Sequence, residues 1–248
     1  ALVLAVVTAR APALAVYREA IAGKNDFERA QDALAAQKFT EAGGHLTSAI
    51  ARFEEAEKQS RKLLLLKIIP GLSRQVSAVE NLLKVGIQAG RAAQGLTVVA
   101  ERITEPLQND GTVTFASIDP AQKRAVLKLV SEAEPEIQGA KADIDLAVLY
   151  LEKIPEQGLL PQIGKAIEPL RQQLPQMQAM LEKALPATRV LPSFVGYPEK
   201  KTYLFLLQNN NELRPTGGFI GTYGILDLKD GDVVSLHTDN IYNLDVKA

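Results

Sequence analysis

The sequence predicts an α+β protein: a long antiparallel helical bundle or stalk followed by a small, incomplete β-sheet head. Three observations predict it. Up to about residue 190, apolar residues recur at alternating steps of four and three, the spacing of a helical seam. From Lys201 the period changes to two, through TYLFLL, FIGTYGILDL and VVSLH. Between the last two runs stands Asp230-Gly231, a hairpin signal because type I′ turns need positive φ at their centre.

The 248 residues suffice for one large domain or two modest ones. Lys and Arg (28) nearly balance Asp and Glu (29), so no whole-chain field draws the protein to nucleic acid or anionic lipid. Aromatics make up 5% and Trp is absent, which argues against base-stacking platforms, and no nucleic-acid partner is expected. The absence of Cys excludes disulfides, thiolate metal sites and Cys nucleophiles. His45 and His237, distant in the chain, give no support to a His-based metal cluster.

The chain reads as four stretches: residues 1–9 as the end of a membrane anchor, 10–68 as a helical hairpin region, 69–190 as a long-helix bundle, and 191–248 as the start of an α/β head. The opening ALVLAVVTA carries no charge before Arg10. Nine residues rise only about 13 Å as a helix, against roughly 30 Å of bilayer core. They are either the buried start of a helix or the outer end of a span that begins upstream. The second is expected, with the protein anchored by a single pass in the cell membrane and its bulk outside the cytoplasm.

Leu2, Val6, Ala9, Ala13, Val16 and Ala20 form the first stripe; Pro12 should kink or bound it, and Gly23 to Asn25 should end it before Asp26 caps a short helix over 27–36. Phe39, Ala42, Leu46, Ala49, Phe53 and Ala56 form the next stripe. The run ALAAQKFTEA at its start looks like part of a tetratricopeptide pair, but with a single copy an ordinary helical hairpin is expected. Pro70-Gly71 breaks the pattern, and the following stripe contains Gly86 and Gly90, one turn apart, where missing side chains let a neighbouring helix come close.

Residues 106–118 read as a loop with an extended piece at 112–115, and Asp119-Pro120 as an N-cap with proline at the first helical position. Val126, Val130, Ala133, Ile137, Ala140, Ile144, Ala147, Leu151 and Ile154 then alternate without a slip, and Pro135, off this seam, should kink the helix rather than end it. Ile163, Ile167, Leu170, Leu174, Met177, Leu181 and Ala184 continue the alternation despite Pro169 and Pro175; Met177 and Met180 read as core filler, and Pro186 and Pro192 as a linker.

Strands are expected over 202–207, 218–228 and 232–238, the first two apolar enough to be covered on both faces. No helix follows them, so the sheet should be completed by further chain or by a partner. The loop Gln208 to Gly218 is the candidate anion or phosphate site: Asn209, Glu212, Arg214, Thr216, Gly217 and Gly218. Arg214 offers a planar fork suited to phosphate or carboxylate, and the glycine pair could expose N–H groups to an anion. The structural alternative gives the Asn residues to turns and Glu212 to Arg214 as an ion-pair partner. Asp239 and Asp245, with Tyr242 between them, follow the third strand and are the weaker candidate metal ligands. No Ser/His/Asp arrangement or Walker-type phosphate loop is present, and the residues assign no cofactor, magnesium entering only with a phosphate ligand.

NNNELRPTGGFIGTYGIL followed by DNIYNLD resembles the bacterial domain-of-unknown-function family 4012 over residues 202–245, and IIPGLSRQVSAVENLL resembles the region upstream in that family more loosely. The resemblance implies a single-pass, extracytoplasmic cell-envelope protein, whose expected partners are other envelope proteins or a further C-terminal part of the same protein. A second, looser resemblance is to the LytR-CpsA-Psr envelope glycopolymer transferases, which implies an Arg and nearby acidic residues binding a polyprenyl pyrophosphate with magnesium. Under that resemblance Arg214 would take the first role, and Asp239 would lie near the end of a later strand. The second Arg of that family, in a Pro-Arg-Asp run, has no counterpart at His237-Thr238-Asp239-Asn240, and no assembled catalytic set is expected.

Overall fold

A computed structural model describes residues 2–107, 115–212, 214–215 and 217–245. Its helices are α1 (Leu2–Ala35), α2 (Phe39–Ser60), α3 (Pro70–Thr104), α4 (Pro120–Glu132), α5 (Glu134–Glu152), α6 (Pro161–Phe194) and α7 (Tyr242–Asp245); its strands are β1 (Lys201–Asn209), β2 (Phe219–Lys229) and β3 (Asp232–Asn240). The fold is thus α+β, helices first and sheet last. A 3-10 helix, Arg61–Ile68, links α2 to α3. Among the described residues no helix is long and apolar enough to cross a membrane.

The chain forms two compact units, Ala1–Arg102 with Pro135–Leu185, and Ile103–Glu134 with Pro186–Ala248. In the first unit successive helices run antiparallel, as their cross-links show. Arg52 of α2 reaches back to Asp26 of α1 at 2.8 Å. Gln94 of α3 donates to Thr47 of α2 at 2.9 Å. Arg102 of α3 meets Glu136 of α5 at 3.0 Å, and Gln178 of α6 donates to Asp145 of α5 at 2.7 Å. The seam residues are those of the sequence pattern: Ala42, Leu46, Ala49 and Ala56 on α2, and Ile137, Ala140, Ile144, Ala147 and Leu151 on α5, are all buried.

The α1–α2–α3 packing turns on one aromatic ring. Phe53 lies between Gly23 of α1 and Gly86 of α3; a Cβ on Gly23 would stand 2.9 Å from its ring and one on Gly86 3.0 Å. Gly90, one turn on, faces Ile50, whose Cγ1 would be 2.8 Å from an added Cβ. The expected close approach at Gly86 and Gly90 is therefore realised, and it is made with α2.

Several local expectations are corrected. α1 runs unbroken through Pro12 and the Gly23–Asn25 stretch to Ala35. Gly23 serves helix contact, and Asp26 is held by Arg29 and Arg52 instead of capping a new helix. The chain turns at Gln37, whose φ is 58°. Conversely, Pro135 does end a helix: α4 stops at Glu132, and α5 starts at Glu134. The physical reason is that proline lacks the N–H for the ladder and disfavours helical geometry in the residue before it. Pro186 and Pro192 form no linker, since α6 continues through both to Phe194. Pro169, Pro175 and Pro186 lie on its exposed side, where water can reach the carbonyls they leave unpaired. Met180 is exposed and fills no core. Of the expected extended piece, 112–114 lie outside the described residues and Phe115 is in a turn.

In the second unit the Asp119 cap is made as expected: its side chain accepts from the N–H groups of Ala121 and Gln122, and Gln122 answers in a capping box. α4 then anchors the β2–β3 hairpin. Arg124 Nη1 donates to both oxygens of Asp230, at 2.8 and 2.9 Å, and Lys123 pairs with Asp232. The turn itself has positive φ at Asp230 (49°) and Gly231 (87°), as the type I′ reading requires. Gly196, with φ 84°, lets the chain pass against the Leu228 carbonyl, where any Cβ would overlap it. Arg189 near the end of α6 binds Glu134, and its hydrogen bond holds that carboxyl below the ordinary range.

The sheet is antiparallel in the order β1-β2-β3. Leu204 pairs with Ile225 and Ile225 with His237, while Tyr203 pairs with Leu226 and Leu226 with Leu236, so each set shares a face. One correction matters most here. β1 is no buried strand: Leu204, Leu206 and Leu207 are exposed, as are Val233, Val234 and Leu236 on β3.

Candidate functional site

The residues of the candidate loop divide by task. Asn209 ends β1 and makes a turn of its own, its Oδ1 accepting from the Asn211 N–H at 3.1 Å and its carbonyl from the Glu212 N–H at 3.3 Å. This is the turn chemistry that short amide side chains favour. Gly217, at φ 103°, closes a turn by donating its N–H to the Arg214 carbonyl at 2.9 Å. Gly218 is buried against the Asn209 carbonyl and the Gln208 side chain, where a Cβ would clash with backbone. The glycine pair therefore permits the re-entry into β2. Thr216 lies outside the described residues.

Arg214 is the exposed cation of this loop among the described residues, and its guanidinium carbon sits 5.4 Å from the centre of the Phe219 ring. Among the described residues it makes no ion pair, and Glu212 does not serve as its partner. Phe219 in turn lies 6.1 Å from Tyr242 of α7, with the rings tilted at 36°. Guanidinium, Phe219 and Tyr242 thus form a row at one end of the sheet, the charge presented over a π face. Sequence reading placed Tyr242 at this end but missed Phe219 as the support of Arg214. The signal was available in the first residue of the strand that follows the glycines.

Asp239 stands at the end of β3, beside Tyr223 in register. Its Oδ1 accepts from the Asn240 N–H at 2.7 Å and from the Asn243 amide at 2.6 Å, which ties the β3 end to α7. That role uses an oxygen a metal would need. The side chain of Asp245 lies outside the described part. Among the described residues no group of three or more His, Cys, Asp or Glu is placed to hold a metal ion.

A second polar cluster went unnoticed in the sequence. Asp227, in mid-strand on β2, accepts from Thr202 of β1 at 2.5 Å, Lys200 at 3.0 Å and Ser235 of β3 at 2.9 Å. The hydrogen bonds from Thr202, Lys200 and Ser235, in that order, bring its carboxyl down to about 2. The signal was one acidic residue inside GILDLK, at a position where the alternation calls for a side chain on the same face as Ile225.

No curated protein and no solved structure matches the chain. Residues 198–247 do match a family model, described as a protein of unknown function (DUF4012). The match covers β1 to α7, so the resemblance carried by the NNNELRPTGGFIGTYG and DNIYNLD motifs holds for the sheet region.

Proposed function

We propose that the protein is a membrane-anchored, extracytoplasmic scaffold or interaction module of the bacterial cell envelope, single-pass in the cell membrane, whose sheet receives another polypeptide. The observation that carries the reading is the uncovered sheet. Leu204 is 66% exposed, Val233 62% and Leu236 58%, in strands whose outer edges are unpaired among the described residues. Apolar strands with open edges are what a partner strand or a covering layer occupies. The test is site-specific photo-crosslinking in a bacterial host, with the probe at Leu206 or Leu236 and at exposed Ser131 of α4 as control. Polypeptide adducts at the two sheet positions, absent at Ser131, support the reading; water quenching at all three defeats it.

A second reading rests on Arg214, held over Phe219 with no ion pair among the described residues. It makes the loop a binder of a polyprenyl phosphate or pyrophosphate, with magnesium shared between the ligand and acidic residues. Its test is thermal unfolding with a polyprenyl phosphate and magnesium. A stabilisation that Arg214→Ala abolishes supports it, and no shift in the wild-type protein removes it.

A further inference from the structure

The 3-10 helix Arg61–Ile68 has three residues per turn, so its eight residues sort into three faces. One face is internal: Leu63 is buried in a cluster with Ala9, Val16, Ala56, Val76 and Leu83, and Leu66 packs against that cluster. The other two faces point outward. They carry Leu64 (62% exposed), Leu65 (63%) and Ile68 (79%), interleaved with Arg61, Lys62 and Lys67.

Two further segments of the same unit meet this end. The Gln75 side chain, in the first turns of α3, donates to the Gly158 carbonyl at 2.7 Å and accepts from the Leu160 N–H at 2.9 Å, which brings exposed Leu160 alongside. Ala9 of α1 lies in the Leu63 cluster, and from there the helix continues back to Leu2 through the uncharged LVLAVVT. Residues 61–75 hold four cations, Arg61, Lys62, Lys67 and Arg74, and no carboxylate. Glu57 and Glu80 answer Arg61 and Lys67, while Lys62 and Arg74 have no ion pair among the described residues.

From this juxtaposition we infer that the Arg61–Ile68 tip, with Leu160, is a membrane-contact surface that inserts Leu64, Leu65 and Ile68 between anionic lipid headgroups. The inference rests on the membrane part of the reading above and adds the residues that touch lipid. Charge complementarity selects the occupant: exposed leucines ringed by cations suit an anionic bilayer surface, where apolar burial and basic side chains act together. The end of α1 nearest this tip is also its most apolar part, so an anchor and a contact surface would lie on one side of the unit.

The experiment is flotation of the full 248-residue chain with vesicles of phosphatidylcholine alone or with 30% phosphatidylglycerol added (about a third of the lipid, enough for a negative surface). Five proteins are compared: wild type, L64S/L65S/I68S, L2S/L4S/V6S, K62Q and R74Q. Thermal unfolding checks that the first variant, which alters only exposed positions, keeps its midpoint. The expected result is binding that needs phosphatidylglycerol, falls at least about tenfold in L64S/L65S/I68S, and falls roughly fivefold per charge in K62Q and R74Q. Wild-type binding that the tip variant leaves intact and L2S/L4S/V6S abolishes would overturn the tip while leaving the anchor reading in place. Equal binding to both vesicles, no wild-type binding to either, or a tip that instead mediates self-association in the absence of lipid would overturn it as well.

Discussion

The helical seam and the sheet are equally apolar in sequence and opposite in solvent exposure. Ile144 on α5 is 0% exposed and Leu174 on α6 is 2% exposed, whereas Leu204 on β1 is 66% exposed. Both regions obey their own period, three and a half in one and two in the other. The difference lies in what faces them. Each bundle stripe meets another stripe from the same chain, so burial is completed within it, while among the described residues no second layer covers Leu204 and Leu206 on their face of the sheet. Apolar patterning therefore marks a stabilising core in the first region and an available surface in the second.

The largest effect that tests this contrast is a truncation on each side. Ile144→Ala should cost about 3 kcal/mol, the usual range for deleting a fully buried aliphatic side chain. Leu204→Ala should stay within about 0.5 kcal/mol, as exposed substitutions do. Chemical unfolding of both variants checks the pair. If the two losses were equal, Leu204 would be buried in solution and the contrast would fail.

A somewhat smaller effect sharpens the account of the bundle. Gly90→Val places a side chain where the Ile50 Cγ1 atom already lies within 2.8 Å of the Cβ position. Overpacking of this kind costs about 2 kcal/mol, more than the helix propensity valine gains over glycine. The same substitution at Gly43, which has nothing within 4 Å of its Cβ position, should be neutral or mildly stabilising. Thermal unfolding of the two variants separates contact from propensity, since propensity alone predicts the same sign at both sites.

These cases also show which parts of the structure were legible in the sequence. The seams of α2, α5 and α6 and the Asp230-Gly231 hairpin could be read because period and turn chemistry are local properties. Helix ends at proline were misread in both directions. Pro135 ends α4 while Pro186 and Pro192 pass within α6, although Pro135 is exposed and Pro192 buried, so neither the residue type nor its exposure decides the outcome. Gly23 was taken for a stop because its partner, Phe53, is thirty residues away. At the candidate site the loop was located, yet the support of Arg214 by Phe219 and Tyr242 depends on how β2 and α7 meet. The Asp227 cluster was invisible for the same reason, since Thr202 and Ser235 come from two other strands.

That cluster yields the prediction with the smallest effect at neutral pH. Asp227 shares its sheet face with Leu204, Leu206 and Ile225 as well as with Thr202, Ser235 and His237, and it binds β1 to β3 across β2. Its carboxyl titrates at about 2 in the folded protein against an ordinary 3.8, so the charged form is favoured by folding. The contribution is therefore present above pH 3.8 and is lost as pH falls through about 2. Water screens a group this near the surface, which keeps the effect small beside those of Ile144 and Gly90. Hydrogen exchange of the β1 and β3 amides, followed from pH 5 down to 2, should show protection declining in that window beyond the intrinsic change of exchange rate. In Asp227→Asn the decline should be absent and protection at pH 5 already lowered, because the amide keeps the space and loses the charge that Lys200 and the two hydroxyls answer. An unchanged pH profile in the variant would show that the three strands are joined by their backbone ladder alone.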